Sequence, residues 1–387
     1  MNLDAPDRTS GDRPLRAAWA EVDLTAIREN VAEIVRVAAP ANVMAVVKAD
    51  GYGHGSVAVA RAALDAGATW LGVALAQEGL VLRSAGISAP ILILSEPSLS
   101  AFGAIVEHDL TPTVFSAAAI AALAEAVAAS GSAPVGVHLK VDTGLHRVGA
   151  NPVDVLPLAL QIVSQPGLRL DAVWTHLATA DEPDSPFVGT QLVVFKAVLD
   201  QLEREGLKPP LRHAANSAGL LAFPATHFDL VRVGISIYGI YPSTELRDRA
   251  VLRPALSLKA RVSFVRHLDA GEGLSYGLRY ILKSPSTIAT IPIGYGDGVP
   301  RNFSAVGGEV LVGGKRRPIA GTVTMDHLMI DMGSDPVDVG DEVVLIGRQG
   351  DEEITADEWA DRLGTIVNEV VCRIGPRVQR ININDNG

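Results

Sequence analysis

The chain has 387 residues, enough for one large domain and a smaller one, and its 48% hydrophobic and 20% charged residues suit a globular protein. A net charge of −11 argues against nucleic acid as a partner, although a small anion can still bind at a local positive site. The single cysteine, Cys372, allows no internal disulfide and is expected to be a packed thiol.

Residues 1–15 are polar, carry Pro and Gly, and read as a flexible N-terminus without the apolar core of a secretory signal. No run approaches about 18 uninterrupted apolar residues, so a cytoplasmic protein with no membrane contact is expected. Residues 18–24 alternate as a strand. Leu24, Ile27, Val31, Ile34 and Val35 then recur at helical spacing behind Asp23, a residue type that caps helices. The apolar run 43–47 meets Lys48 and breaks at Gly51, Gly53 and Gly55, the pattern of a buried strand entering a loop. From there strand and helix alternate. Strands are predicted over 70–75, 90–94, 111–115, 135–141, 170–175, 211–215 and 230–238, with helices over 77–84, up to 107, through the Ala-rich 117–129, over 153–163, over 190–205 and from 218.

Counted from 43–47, this makes eight strand–helix units in about 200 residues, which fits a (β/α)8 barrel of the TIM type. Rhythm alone also admits a doubly wound open sheet, but no G-x-G-x-x-G follows the first strand. Residues 242–253 are polar and read as a junction. Beyond it, short β-like runs at 256–265, 287–293, 309–312, 328–332 and 343–346, with one helix at 355–363, predict a second, mostly β domain. The expected division is 16–245 for the barrel and 246–387 for the β domain.

Barrel active sites gather at the C-terminal ends of the strands. Those positions hold Lys48 and Tyr52, Asp142, Thr143 and Arg147, His176, Asn216 and Ser217, and Arg232, Gly234 and Ile235. A lysine where a buried strand surfaces suits a nucleophilic amine, because desolvation and nearby cations lower a lysine pKa from about 10.4. The glycines after it open the backbone to an anion. Each residue alone has a plainer explanation: a snorkelling lysine, a hydrogen-bonded core histidine, a helix cap at Asn216, a structural ion pair at Arg232. Their joint placement carries the functional reading.

The strings VVKADGYGHG, KVDTGLHRVG, THLATADE, HAANSAG, VRVGISIYG, GEGLSYG, IGYGDGVPR, GTVTMD and VGDEVVLIG resemble the alanine racemase family over about residues 16–381. The resemblance implies a homodimer built from a barrel that binds pyridoxal phosphate and a β domain, interconverting L- and D-alanine for cell-wall peptidoglycan, with no metal. It implies that Lys48 binds the cofactor covalently and serves as one of two acid/base groups. Tyr276, in GLSYG, is implied as the second, reaching the neighbouring subunit's barrel. Tyr52 and Ser217, with the Gly234 and Ile235 backbone N–H groups, are implied to hold the phosphate, Asn216 and His176 to bind elsewhere on the cofactor, and a hydrogen-bonded line to run from Tyr276 through His176 to Arg232, with Arg147 close by. Arg232 is implied to face the pyridine nitrogen. An arginine cannot accept a proton, so the ring stays a weaker electron sink, which favours racemisation over transamination. Arg147, Met325 and Asp326 are implied to meet the substrate. Lys140 aligns with a family lysine that is often carbamylated, and the anionic product would steer Arg147.

Three positions depart from the family pattern. Pro376 stands where many relatives carry a tyrosine by the phosphate, Thr322 where some carry an entrance arginine, and His146 where a glycine is common. Asp181 and Arg301 match positions lining the family's access channel. The departures bear on strict alanine preference, so a racemase acting on serine, lysine or several amino acids is the second reading. A pyridoxal phosphate carrier without catalysis has no need of Tyr276. Decarboxylases of similar architecture place an acid where Arg232 stands.

Overall fold

The computed structural model describes residues 15–385, so the expected flexible segment at residues 1–14 lies outside the described residues. The backbone forms two compact units. One holds Ala26–Gly51 and Ser56–Pro254; the other holds the described residues up to Thr25, Tyr52–Gly55 and everything described from Ala255 on.

The first unit is a parallel barrel. Taking β1 as Ala18–Asp23, its strands are β2 (Asn42–Val46), β3 (Trp70–Val73), β4 (Ile91–Ile93), β5 (Thr111–Val114), β6 (Val135–Lys140), β7 (Leu168–Trp174), β8 (Leu211–His213) and β9 (Leu230–Val233). They lie in the order β8-β7-β6-β5-β4-β3-β2-β9. Backbone bonds from Asp229 N to Arg212 O and from Arg232 N to Ala215 O, each 3.0 Å, join the two ends of this order. The strands are short apolar runs because helices cover their outer face and side chains fill the interior. Helix Leu24–Ala38 buries Leu24, Ile27, Val31 and Ile34, the stripe read from the sequence.

The predicted strand 230–238 ends early, at Val233. Gly234 takes φ −102 and ψ −96, and Ile235–Tyr238 coil into a 3-10 turn. The residues stay apolar because the turn is buried, so apolarity did not mark the strand's end.

The second unit contains a seven-stranded sheet ordered β16-β15-β18-β10-β1-β20 with β19 beside β18, where β10 is Leu256–Arg261, β15 Glu309–Val312, β16 Lys315–Pro318, β18 Glu342–Gln349, β19 Glu352–Ile354 and β20 Gln379–Ile383. β1 pairs antiparallel with β10 and parallel with β20, so the first strand lies within this sheet. A second sheet is ordered β11-β14-β17, from Phe264–Leu268, Ser286–Ile291 and Leu328–Asp331, and β12 (Gly273–Leu274) pairs with β13 (Tyr280–Ile281). The predicted run 256–265 is therefore two strands of different sheets: the chain changes partners where Val262 N bonds Asp341 O and Ser263 N bonds Thr290 O.

Helix Val367–Arg373 was not anticipated. It buries Val370 and Val371, while Cys372 on its outer side is exposed, which corrects the expectation of a packed thiol. Gly53 packs against this helix at φ +79, where a Cβ would lie 2.3 Å from Val371 O. Among the described residues no helix is long and apolar enough to cross a membrane.

Candidate active site

Side chains alternate along a strand, so the inward positions can be followed up the barrel. Met44, Leu92 and Leu230 form an apolar floor with Trp70 and Leu94 packed against it. Two residues further along β9 comes Arg232. His138 and Lys140 follow on β6, Trp174 and His176 on and after β7, and His213 on β8. The interior thus changes from apolar to basic towards the C-terminal ends of the strands.

Arg232 is the hub. It is 3% exposed; Nη1 bonds His213 Nδ1 at 3.0 Å, and Nη2 bonds Thr175 O at 2.8 Å, Ala214 O at 2.9 Å and His176 Nδ1 at 3.1 Å. A guanidinium only donates, so both histidine nitrogens facing it accept. His213 then carries its proton on Nε2, which donates to His138 Nδ1 at 3.1 Å, and His138 carries its own on Nε2. Burial first, and the charge of Arg232 second, hold His176 and His213 well below the usual histidine range and His138 down to about 3. All three rings are neutral near pH 7, and His176 keeps an N–H on Nε2. Trp174 lies against this cluster, stacked on His213 at 5.3 Å, with Lys140 Nζ 4.4 Å and Arg232 Cζ 4.5 Å from its ring.

Lys140 is buried. Desolvation, then Arg232 and Arg147, pull its pKa from 10.5 to about 7, against the pull of Asp142. Lys48 also lowers it, and all four cations act on His176, so the structure brings Lys48, Lys140, Arg147 and Arg232 into one field. Asp142 accepts N–H bonds from Gly144 and His146, each 3.0 Å, and His146 takes φ +56 in that turn. Gln191, fully buried, holds the loop after β7: Nε2 donates to His176 O at 3.0 Å and Thr143 Oγ1 at 3.1 Å, and Oε1 accepts from Ala178 N at 2.8 Å.

After β8, Asn216 caps helix Ser217–Ala222 by accepting from Gly219 N at 2.8 Å. Ser217 Oγ accepts from Gly234 N at 3.0 Å, which leaves its own proton to donate. Lys48 follows β2 and opens a turn in which Ala49, Asp50, Gly51 and Tyr52 all have φ between +51 and +62. The Tyr52 phenol is buried, and that burial, with a smaller effect from Cys372, raises its pKa above the usual range.

Tyr276, Met325 and Asp326 lie in the β unit on two adjoining loops. Ser275 Oγ donates to Thr322 O at 2.6 Å and Thr322 Oγ1 donates to Tyr276 O at 3.1 Å. Tyr276 is 69% exposed and Met325 52%. Gly296 N bonds Met325 O at 2.9 Å, and Asp326 is held by Arg377 Nη2 at 2.6 Å. Sequence reasoning passed over His138, His213, Trp174 and Gln191 as parts of the site. The spacing of His138 and Lys140, two apart on one strand, signals a shared face and was available; a lone Gln on a helix gives no such signal.

Residues 22–242 match the family description "Alanine racemase, N-terminal domain", and residues 255–382 match "Alanine racemase, C-terminal domain". The chain belongs to the alanine racemase family. An alanine racemase of Symbiobacterium thermophilum is 47% identical over 370 residues, covering 95% of this chain and 97% of that one. The alanine racemase of Bacillus anthracis, solved with bound L-Ala-P, superposes with a TM-score of 0.91 at 41% identity and 97% coverage of both chains. A histidine racemase of Leuconostoc mesenteroides superposes with a TM-score of 0.89 at 34% identity, covering 96% of this chain and 100% of that one. Alanine racemases are isomerases that depend on pyridoxal phosphate. The donor set in this barrel fits that group: Lys48, Arg147 and Arg232 act on one spot, and the Ser217 hydroxyl, which accepts from Gly234 N and keeps its own proton to donate, suits a phosphate.

Proposed function

We propose that this chain interconverts L- and D-alanine with pyridoxal phosphate, using Lys48 and Tyr276 of the partner subunit as proton carriers on opposite faces of the substrate. The observation that carries the reading is the buried Arg232 hub at the strand ends, bonded to His176 Nδ1 at 3.1 Å and His213 Nδ1 at 3.0 Å, with Lys48, Lys140 and Arg147 in the field of the same His176. Lys48 holds the cofactor. Ser217, Tyr52 and the Ile235 N–H would hold its phosphate, joined by the Gly234 N–H, which now donates to Ser217 Oγ; Asn216 fixes the turn that presents Ser217, and Arg232 would serve the ring nitrogen as a donor. When bound, the cofactor supplies the electron-withdrawing ring that acidifies the substrate's α-hydrogen. Arg147 and the loop carrying Met325 and Asp326 hold the carboxylate.

Lys48 then moves a proton at the α-carbon on one face, and Tyr276 of the partner subunit on the other. His176, neutral with its remaining N–H on Nε2, is suited to donate to that phenol oxygen while Arg232 fixes the ring from behind. Lys140, about half uncharged near pH 7, has in that form the lone pair that addition to carbon dioxide requires; the proton released would pass to solvent, and the resulting carbamate would orient Arg147. One observation supports a dimer: the β unit leaves Tyr276, Leu278, Ile281, Tyr295 and Met325 exposed, large apolar groups that a second copy would cover. A cytoplasmic enzyme serving peptidoglycan synthesis follows from the activity.

The test is incubation of the holoenzyme with L-alanine, L-serine, L-lysine and L-histidine and chiral separation of the products. D-alanine should form fastest and should vanish in Lys48→Ala. Faster turnover of another substrate favours the broader racemase, a reading supported by the histidine racemase neighbour. Turnover of none leaves a cofactor carrier.

A further inference from the structure

The turn after Lys48 is an unusual piece of backbone. Ala49, Asp50 and Tyr52, none of them glycine, have φ near +52, in the left-handed region. Each such residue costs roughly 1–2 kcal/mol, because Cβ crowds the following carbonyl. A strained turn of this kind persists only where its surroundings hold it. Gly51 N bonds back to Val47 O at 2.9 Å, and Asp50 Oδ1 accepts from Ser56 N at 2.9 Å. The third restraint comes from a distant residue. Glu78 Oε1 accepts from Ala49 N at 2.7 Å, while Oε2 accepts from Ala74 N at 2.7 Å and Leu75 N at 3.0 Å.

Glu78 sits at the third position of helix Ala76–Ser84 and reaches back to the helix entry, half of an ordinary capping box. Its second oxygen is committed elsewhere: it ties the residue next to Lys48 to the end of β3. Carboxylate–amide bonds of this length are the charge-assisted kind, stronger than neutral ones.

We propose that Glu78 is a positioning residue for Lys48: its carboxylate clamps the left-handed turn to the neighbouring strand end and so fixes where the lysine amine points. The inference rests on the cofactor-binding role proposed for Lys48. Removing the clamp releases Ala49 N–H and lets the turn relax towards ordinary backbone, with the amine displaced.

The experiment compares Glu78→Ala, Glu78→Gln, Ala49→Gly and the double variant Glu78→Ala with Ala49→Gly. Pyridoxal phosphate affinity of each apoenzyme is read by absorption titration, alongside its melting temperature. Glu78→Ala should weaken cofactor binding by about tenfold, the scale for losing hydrogen bonds to a charged group. Glu78→Gln, with one carbonyl oxygen in place of two acceptors, should fall between. The decisive arm is the rescue. Glycine adopts positive φ without penalty, so Ala49→Gly should recover most of the affinity lost in Glu78→Ala while leaving its melting temperature low, since the helix cap is still missing. A purely structural Glu78 predicts no recovery, and that result overturns the proposal. Unchanged affinity in Glu78→Ala overturns it too, and if that variant does not fold, unchanged affinity in Glu78→Gln does so in its place. Lys48→Ala separates the two ideas: if it binds the cofactor as tightly as the native chain, the reading of Lys48 fails first.

Discussion

Lys140 and Arg232 form a buried pair of like charges against one indole, and the chain resolves the conflict at the lysine. An arginine holds its proton over the working pH range, whereas a lysine ammonium is readily neutralised by burial. The unfolded chain therefore holds a proton on Lys140 up to about 10.5, while the folded chain sheds it near 7. Across that window the unfolded state binds more protons, so this group's contribution makes stability rise with pH from about 7 to about 10.5. Lys140→Met should flatten that part of the profile, measured by chemical denaturation in carbon dioxide-free buffer. An identical slope in the variant would show that Lys140 titrates normally. The neutral imidazoles beside it follow from the same arithmetic of donors: with Arg232 able only to give, His213 and His176 must receive.

At the level of elements, the proposed site is a set of strand ends, three of them held by a side chain: Glu78 after β2, Gln191 after β7 and Asn216 after β8. Asn216 fixes the short helix that begins with Ser217. Asn216→Ala should cost about 1 kcal/mol of stability through loss of the cap. Asn216→Asp should restore apoenzyme stability, since a carboxylate caps as well, yet still weaken cofactor binding by setting a negative charge beside the proposed phosphate site. Equal cofactor affinity in the two native-stability proteins would remove Asn216 from the phosphate environment. The strands themselves were legible in the sequence because parallel strands buried on both faces are unbroken apolar runs. Their ends were less so: Ile235–Tyr238 is as apolar as the strand before it, and only the backbone at Gly234 marks the change. The run across Val262 hid a switch between sheets for the same reason. Lys48 was legible from its motif, but the left-handed turn behind it was not, since Ala49 and Asp50 take that conformation only under tertiary restraint from Glu78 and Ser56.

For the whole molecule, the proposed site needs Lys48 from the barrel unit of one copy and Tyr276 from the β unit of another. Mixing inactive Lys48→Ala and Tyr276→Ala proteins under conditions of subunit exchange should restore activity, because each mixed dimer holds one site with both groups intact. Sites contained within single chains would stay dead on mixing, and that outcome would sink the shared-site reading. The histidine cluster, the Gln191 brace and the Glu78 clamp lie within one unit, so their variants should not complement one another in this way.

The sheet partners of β1 have a bearing on synthesis. Ala18, Ala20 and Val22 are buried between β10 and β20, yet one neighbour is residues 256–261 and the other 379–383. A growing chain releases all eight barrel strands, residues 42–233, before either neighbour leaves the ribosome. The barrel has all its strands early, while β1 waits with an unpaired backbone edge until residues 379–383 have been made. Such an edge invites mispairing, which makes the stretch around residues 18–23 the place where a nascent-chain chaperone has most to protect.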